Sequence, residues 1–545
     1  MSSAREAPAP TQVFSREASG FVRVGTPGRM LGLNVINIGL TYIMFTYWTH
    51  PGVFPKSNLL IAIPIAAAIA LFFNLLYTMF AVIMPRTGGE YVYLTRTFHP
   101  AIGFAASFAA ATSQCFWTGI GGYWIGQLVL GPMLAGYGQA TGSQFATNLA
   151  TFFSNKDVWF AIGTIFLVLM ALSVTFGLRA YLRFQDWNYI IGAIGGIILL
   201  AVFFLASHHS FQTGYDQFAK NAGVLGYQAT LDTAQKQGMP TGFSLADTFG
   251  IFSIIWLISW ASTYLGAEVR TPRKTQLWGM VYGMLTYAAL AFVLALAIGT
   301  AVGLDFNQAL TWLNYNYVPP SGQLGVPASP TFMLYAGVLL HNGFLFAIVA
   351  IALVIFSYAW VPGAFLIATR AMFAWSFDRL APEKLAEVHP RYRSPWVAIM
   401  VTAVLGEIFL IAYWRGIFQF LTPALAYYFV FWIVSLAGVL FPFLPKTRRM
   451  FEESSMNYRV AGIPLMSICG VFGLVYFSWA LHDMLTNPLL GLNVSTTFLG
   501  ITAPWGLITT GVQFGLPLIL FFVARAVRLR QGIPIDAAFT MLPPE

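Results

Sequence analysis

Trp256 and Trp260 stand four residues apart in a run of aliphatic residues interleaved with Ser253, Ser259 and Ser262. At helical spacing, residues four apart share a face. Turned to a cavity, the two indoles would form an aromatic wall suited to an apolar, aromatic or cationic solute. Turned to lipid, they would be filler at a depth where tryptophan is less at home than at the interface. The serine hydroxyls can satisfy backbone groups freed by a helix break, or back-bond to the carbonyl four residues earlier in an unbroken helix. A second polar wall includes Gln114, Trp117, Tyr123 and Gln127, and a third set is Asn37, Gly39, Thr41 and Tyr42. Buried amides need partners, which makes Gln114 a candidate solute contact. All of these groups hold a ligand; none makes or breaks bonds. The chain has no His-Glu-x-x-His pair, nucleophile elbow or phosphate-binding loop, so neither an enzyme nor a resident metal or cofactor is expected.

Charge is rare and grouped. Arg86, Glu90 and Arg96 form one set, and Glu268 with Arg270, Arg273 and Lys274 forms another. Either set can bridge helix ends across a closed gate, or simply be solvated and anchored at headgroups. Within apolar runs a charge is costly and therefore informative. Glu407 is the main exception; it is a proton-relay candidate, or an acid paired at a helix interface.

These residues need a scaffold, and composition names its class. Of 545 residues, 58% are hydrophobic and 9% charged. A soluble domain carries about 25% charged residues, so a water-facing surface is excluded, as are disorder and a disulfide framework. Twelve apolar runs are long enough to cross a bilayer: 30–49, 58–84, 101–131, 158–178, 187–206, 246–268, 276–303, 333–376, 395–413, 416–443, 461–486 and 504–525. They are called helices 1 to 12 below. The eighth is too long for one perpendicular span and is expected to begin in an outer loop. The net charge of +9 would suggest nucleic acid only if the basic residues shared one face. Instead, with the N-terminus inside, all but Lys56, Lys156, Lys220, Lys236 and Arg415 of the 28 fall on cytoplasmic segments. That bias orients an all-α membrane protein with both termini cytoplasmic. Its partners are the lipid bilayer and a small-molecule substrate, with no nucleic acid. Lipid-facing and subunit-facing surfaces share a composition, so oligomeric state stays open.

Three ordered stretches resemble the amino acid–polyamine–organocation permeases. They are Pro85-Arg-Thr-Gly-Gly-Glu-Tyr-Val-Tyr93 running on to Phe104, Glu268-Val-Arg-Thr-Pro-Arg-Lys274, and Arg370-Ala-Met-Phe-Ala-Trp-Ser-Phe-Asp-Arg-Leu-Ala-Pro382. The resemblance implies a leucine-transporter-like fold, with two inverted repeats of five helices plus helices 11 and 12. The expected organisation is a cytoplasmic tail 1–29, a first repeat 30–206 and an extracellular loop 207–245. A second repeat 246–443, helices 11 and 12 in 444–525, and a cytoplasmic tail 526–545 follow. The resemblance also implies a mid-membrane site between broken helices 1 and 6. There free N–H groups hold an anionic group and free carbonyls hold a cation or amine.

The chain departs from that pattern. Helix 1 lacks the family's paired glycines, and its break falls at Gly39-Leu40-Thr41 or at Met44-Phe45-Thr46. In helix 6, Ile258 stands where a hinge glycine is usual and Trp260 where many members have an acid. Gly192 replaces the helix 5 lysine of some proton-coupled relatives. The sodium-site positions count to Tyr358-Ala359 with Ser357 alongside, leaving Na+, H+ or ion-independent exchange open as the coupling mode. The expected function is a secondary transporter of an amino acid or related amine, working by alternating access. A nontransporting receptor on the same scaffold is the alternative, and a channel lacks charged rings or a filter loop.

Overall fold

The computed structural model describes residues 14, 21, 23–319, 325–327, 329–418, 421–498 and 500–542. Arg5 and Arg16 of the N-terminal tail, and Pro320, lie outside them. Among the described residues the architecture is helical apart from two short antiparallel hairpins, one pairing Arg459 with Pro464 and the other Thr496 with Ala503. Ten helices among the described residues are long and apolar enough to cross a membrane. The two sequence runs missing from these ten fail for different reasons. Helix 3, Pro100–Trp124, is long enough but is diluted by Gly, Ser, Thr and Gln114. Helix 6 is not one continuous helix.

Burial sorts the rest. In helix 1, 83% of the apolar window is buried, against 22% in helices 4 and 12 and 28% in helices 5 and 9. Helix 1 therefore runs through the protein's centre. The peripheral helices keep rows such as Val168, Leu169 and Leu172, or Val404, Ile408 and Ile411, exposed as a lipid-facing belt. Polar caps start several elements. Asn58 accepts from the Leu60 amide at the head of helix 2, and Asn155 from Asp157 at the head of helix 4.

Several expected boundaries need correction. Helix 3 continues through a π-helical turn, Ile125–Leu130, to Thr141. Helix 5 begins at Leu178 rather than 187, so Arg179 and Arg183 lie in its first turns. Helix 12 reaches Arg530. The run 333–376 divides into Phe332–Leu339, Gly343–Tyr358 and Val361–Phe377, as its length required. The polar stretch 207–245 is largely helical, with His208–Ala222 and Tyr227–Lys236. Tyr227 stacks at 4.2 Å on Phe306 of the helix Leu304–Asn316, whose Asn307 donates to the Tyr47 carbonyl at 3.3 Å. One end of helix 1 is thus roofed by ordered helices.

Helix 6 was expected as one span over 246–268. It is α-helical only at Leu245–Phe249, becomes 3-10 at Gly250–Ser253, and is then irregular to a second 3-10 turn at Ala261–Tyr264. Unpaired backbone in a low-dielectric interior costs several kcal/mol, so such a segment needs outside partners. Three buried amides supply them. Asn74 of helix 2 donates to the Leu257 carbonyl at 3.0 Å and accepts from the Ser259 amide at 2.9 Å. Asn34 of helix 1 accepts from the Ser262 amide at 3.1 Å, and Gln276 of helix 7 donates to the Ser262 carbonyl at 3.0 Å.

Candidate functional site

Helix 1 breaks at Gly39, not at Met44–Thr46. Pro27–Ile38 and Leu40–Val53 are separate helices joined by Gly39 at φ +77°, ψ 148°. A side chain there would be strained, and its Cβ would fall 2.5 Å from the Trp360 ring. The break leaves the first N–H groups of the second half without intrahelical acceptors. The Gly39 carbonyl accepts from the Tyr287 hydroxyl at 3.3 Å. Thr41 fastens the break to helix 8 by donating to the Ser357 carbonyl at 2.6 Å, and Trp360 donates to Thr41 at 3.4 Å.

Aromatic side chains collect around this break. The Tyr42 ring lies 5.5 Å from both Trp117 and Trp256. Trp256 meets Trp260 at 5.2 Å and stacks on Tyr428 at 5.5 Å, while Trp260 packs edge-on to Tyr427. Both tryptophans are 3% exposed, which excludes the lipid-facing placement. They come together through an irregular backbone rather than one helical turn. Gln114 donates to the Tyr427 hydroxyl at 2.9 Å. Among the described residues the buried hydroxyls of Tyr42 and Ser357 have no hydrogen-bond partner, so the cluster offers both aromatic faces and free polar groups. Such a set can hold a small solute by stacking and a few directed hydrogen bonds.

Other expected site residues have different settings. Ser253 back-bonds to the Gly250 carbonyl at 2.7 Å within its 3-10 turn, whereas Ser259 reaches across to the Gly279 carbonyl at 2.9 Å. Asn37 lies against Gly363 of helix 8, and Tyr358 is buried beside Ser357. Glu407 is not brought to the cluster; it accepts from Thr164 at the contact of helices 4 and 9. Gly192 packs on Phe356. Asn34, Asn74 and Gln276 were missed by the sequence reading, because a lone buried amide in a helix looks like any interhelical hydrogen bond.

Two sides of the cluster differ. On one side a cavity of about 400 Å³ is lined by Phe45, Trp48, Tyr123, Gln127, Tyr413 and Trp414, among others. Trp124 stands between its wall and the cluster, donating to Tyr413 at 3.2 Å and lying 5.6 Å from Trp117. The opposite, arginine-rich side is locked. Arg370 holds Glu268 through Nε–Oε1 at 3.1 Å and Nη2–Oε2 at 3.4 Å, with both side chains 2% exposed. Arg96 pairs with Asp378 at 3.0 Å, and Tyr91 donates to the same carboxylate at 2.9 Å.

Two of the expected gate residues pair outside their own sets. Arg96 does not meet Glu90, and Glu268 does not meet Arg270. Asp378 and Arg370 are the true partners, both from the quoted stretch ending at Pro382. Arg270 donates to the Arg23 carbonyl on an exposed flank, and Arg86 donates to the Pro85 carbonyl at 3.4 Å. Glu90 is fully buried, not solvated, and accepts from the Tyr264 hydroxyl. Its helix, Glu90–Thr97, follows Gly88 and Gly89 at φ +115° and +54°. Burial pushes the Glu90 carboxyl up to about 7, partly opposed by that hydrogen bond.

Comparison with known proteins gives two findings. A family model described as amino acid permease matches residues 28–503. The serine/threonine exchanger SteT of Bacillus subtilis (strain 168) is 22% identical over 431 residues, covering 78% of this chain and 82% of that protein.

Proposed function

The chain belongs to the amino acid permease family, multi-pass membrane transporters rather than enzymes, and we propose that it exchanges amino acids across the cytoplasmic membrane by alternating access. The reading includes twelve membrane-crossing segments, two inverted five-helix repeats plus helices 11 and 12, and both termini in the cytoplasm. The free N–H groups at Leu40–Tyr42 receive the substrate carboxylate. The Tyr42, Trp117 and Trp256 rings surround its side chain, which favours an apolar or aromatic amino acid. Ser357 and the Tyr42 hydroxyl supply directed contacts. Glu268–Arg370 and Arg96–Asp378 form the cytoplasmic gate, shut while the opposite cavity admits solute.

One observation carries this reading: an aromatic cluster with free buried hydroxyls surrounds a glycine-centred break in helix 1, whose apolar window is 83% buried. Exchange, rather than ion-driven uptake, is favoured because SteT is described as an exchanger. The test is counterflow in proteoliposomes. Labelled amino acid should accumulate only when vesicles are preloaded with unlabelled amino acid, without a sodium or proton gradient. Binding without flux would identify a receptor instead.

A further inference from the structure

On the arginine-rich face, four arginines line one cavity. It measures about 340 Å³ and is lined by Arg179 and Arg183 at the head of helix 5 and by Arg391 and Arg393 before helix 9. Two chain segments more than two hundred residues apart thus supply one charge cluster. Their meeting is tight: a Cβ on Gly177 would lie 2.1 Å from the Tyr392 carbonyl oxygen. Arg393 adopts a left-handed φ of +56°, uncommon for a residue with a side chain.

Among the described residues the charge of these arginines is uncompensated. Elsewhere on this face Arg448, Arg449 and Arg525 each hold a carboxylate at 2.7 Å. Among the described residues, none of the four cavity arginines has an acidic partner. Glu268 also lines the cavity, but its carboxylate is taken by Arg370. The start of the 28-residue helix Leu178–Leu205 opens there too, with no side chain capping its free N–H groups. A general inward charge bias explains why arginines lie on this face. It does not explain four unpaired ones around one hollow.

Four guanidiniums and a helix N-terminus match a phosphate group, which accepts several charge-assisted hydrogen bonds. Phe176, 53% exposed, lines the cavity, and Phe184 and Trp187, 39% and 66% exposed, follow in the next turns of helix 5. They suit acyl chains rather than water. We propose that this cavity binds the phosphate of an anionic phospholipid headgroup in the cytoplasmic leaflet. Because Val24 and Glu268 form part of its wall, the bound headgroup ties both segments to the ion-paired lock and favours the closed cytoplasmic side.

The test compares full-length protein in nanodiscs of phosphatidylcholine alone and of phosphatidylcholine with phosphatidylglycerol. The anionic lipid should raise Tm by about 2 °C or more. The gain should vanish in the Arg179→Gln/Arg391→Gln/Arg393→Gln protein and persist in Arg448→Gln/Arg449→Gln, which removes charge elsewhere on the same face. If the triple variant does not fold, single Arg391→Gln and Arg393→Gln proteins carry the same comparison, each with a reduced gain. An equal gain in cavity variants and wild type, or none in wild type, would overturn the proposal. Inorganic phosphate added to the phosphatidylcholine nanodiscs is the second arm. An arginine-dependent rise with phosphate, and none with phosphatidylglycerol, would overturn the lipid assignment in favour of a free anion.

Discussion

The Tyr42 and Trp256 rings lie 5.5 Å apart at an interplanar angle of 34°. One ring follows the break in helix 1, and the other belongs to the irregular part of segment 6. Their contact joins the two interrupted elements at the place where a solute would meet free backbone groups.

Gly39 should tolerate no large side chain. Its positive φ costs a substituted residue roughly 1–3 kcal/mol, and Trp360 occupies the space beyond its Cα. Gly39→Leu should therefore cut counterflow by at least about tenfold, with Gly39→Ala intermediate. Full counterflow in Gly39→Leu proteoliposomes would remove the break from the transport site.

Asn74 should matter to stability more than any surface polar residue. Asn74→Ala leaves the Leu257 carbonyl and the Ser259 amide without their partner, at about 1–3 kcal/mol each. A melting curve in detergent should show Tm lowered by several degrees. A shift within error would mean that segment 6 finds another donor and another acceptor.

How much of this was legible in the sequence depends on the kind of signal. The apolar runs and their flanking arginines are strong and local, and they marked the membrane helices well. Gly39 stood out as one of two candidate breaks because glycine in an apolar helix is conspicuous. The break in segment 6 was implied by the family resemblance and its serines alone, since no Gly or Pro lies between Gly250 and Gly266. Its cause sits in Asn34, Asn74 and Gln276, on three other helices. The ion-pair partners were not legible for a similar reason: Arg96 and Glu268 find Asp378 and Arg370 across the fold, not among their chain neighbours.

Breaking the lock at one partner should cost more than removing both. Arg370→Ala strands a buried Glu268 carboxylate, worth about 3–5 kcal/mol. Glu268→Gln/Arg370→Gln together should restore part of the lost Tm while leaving counterflow impaired. Additive losses in the double variant would show that the two side chains are not coupled.

Glu90 should give the protein a pH-dependent stability. Its carboxyl sits at about 7 in the folded protein, above the ordinary 4.5. Between these values the native state keeps a proton that the unfolded chain releases. Stability from this site is thus full below about 4.5 and declines as pH rises toward about 7, by order of 3 kcal/mol in total. Glu90→Gln should flatten that part of a Tm-against-pH curve. An unchanged slope would assign the decline to other groups.

The most direct test of the solute site is equilibrium binding to Trp256→Ala. The probe is the amino acid giving the largest thermal shift with wild-type protein. Affinity should fall at least about tenfold, a loss of ~1.4 kcal/mol, with Trp256→Phe falling less. Unchanged affinity in folded Trp256→Ala protein would contradict a solute bound at the Gly39 break against Tyr42 and Trp256.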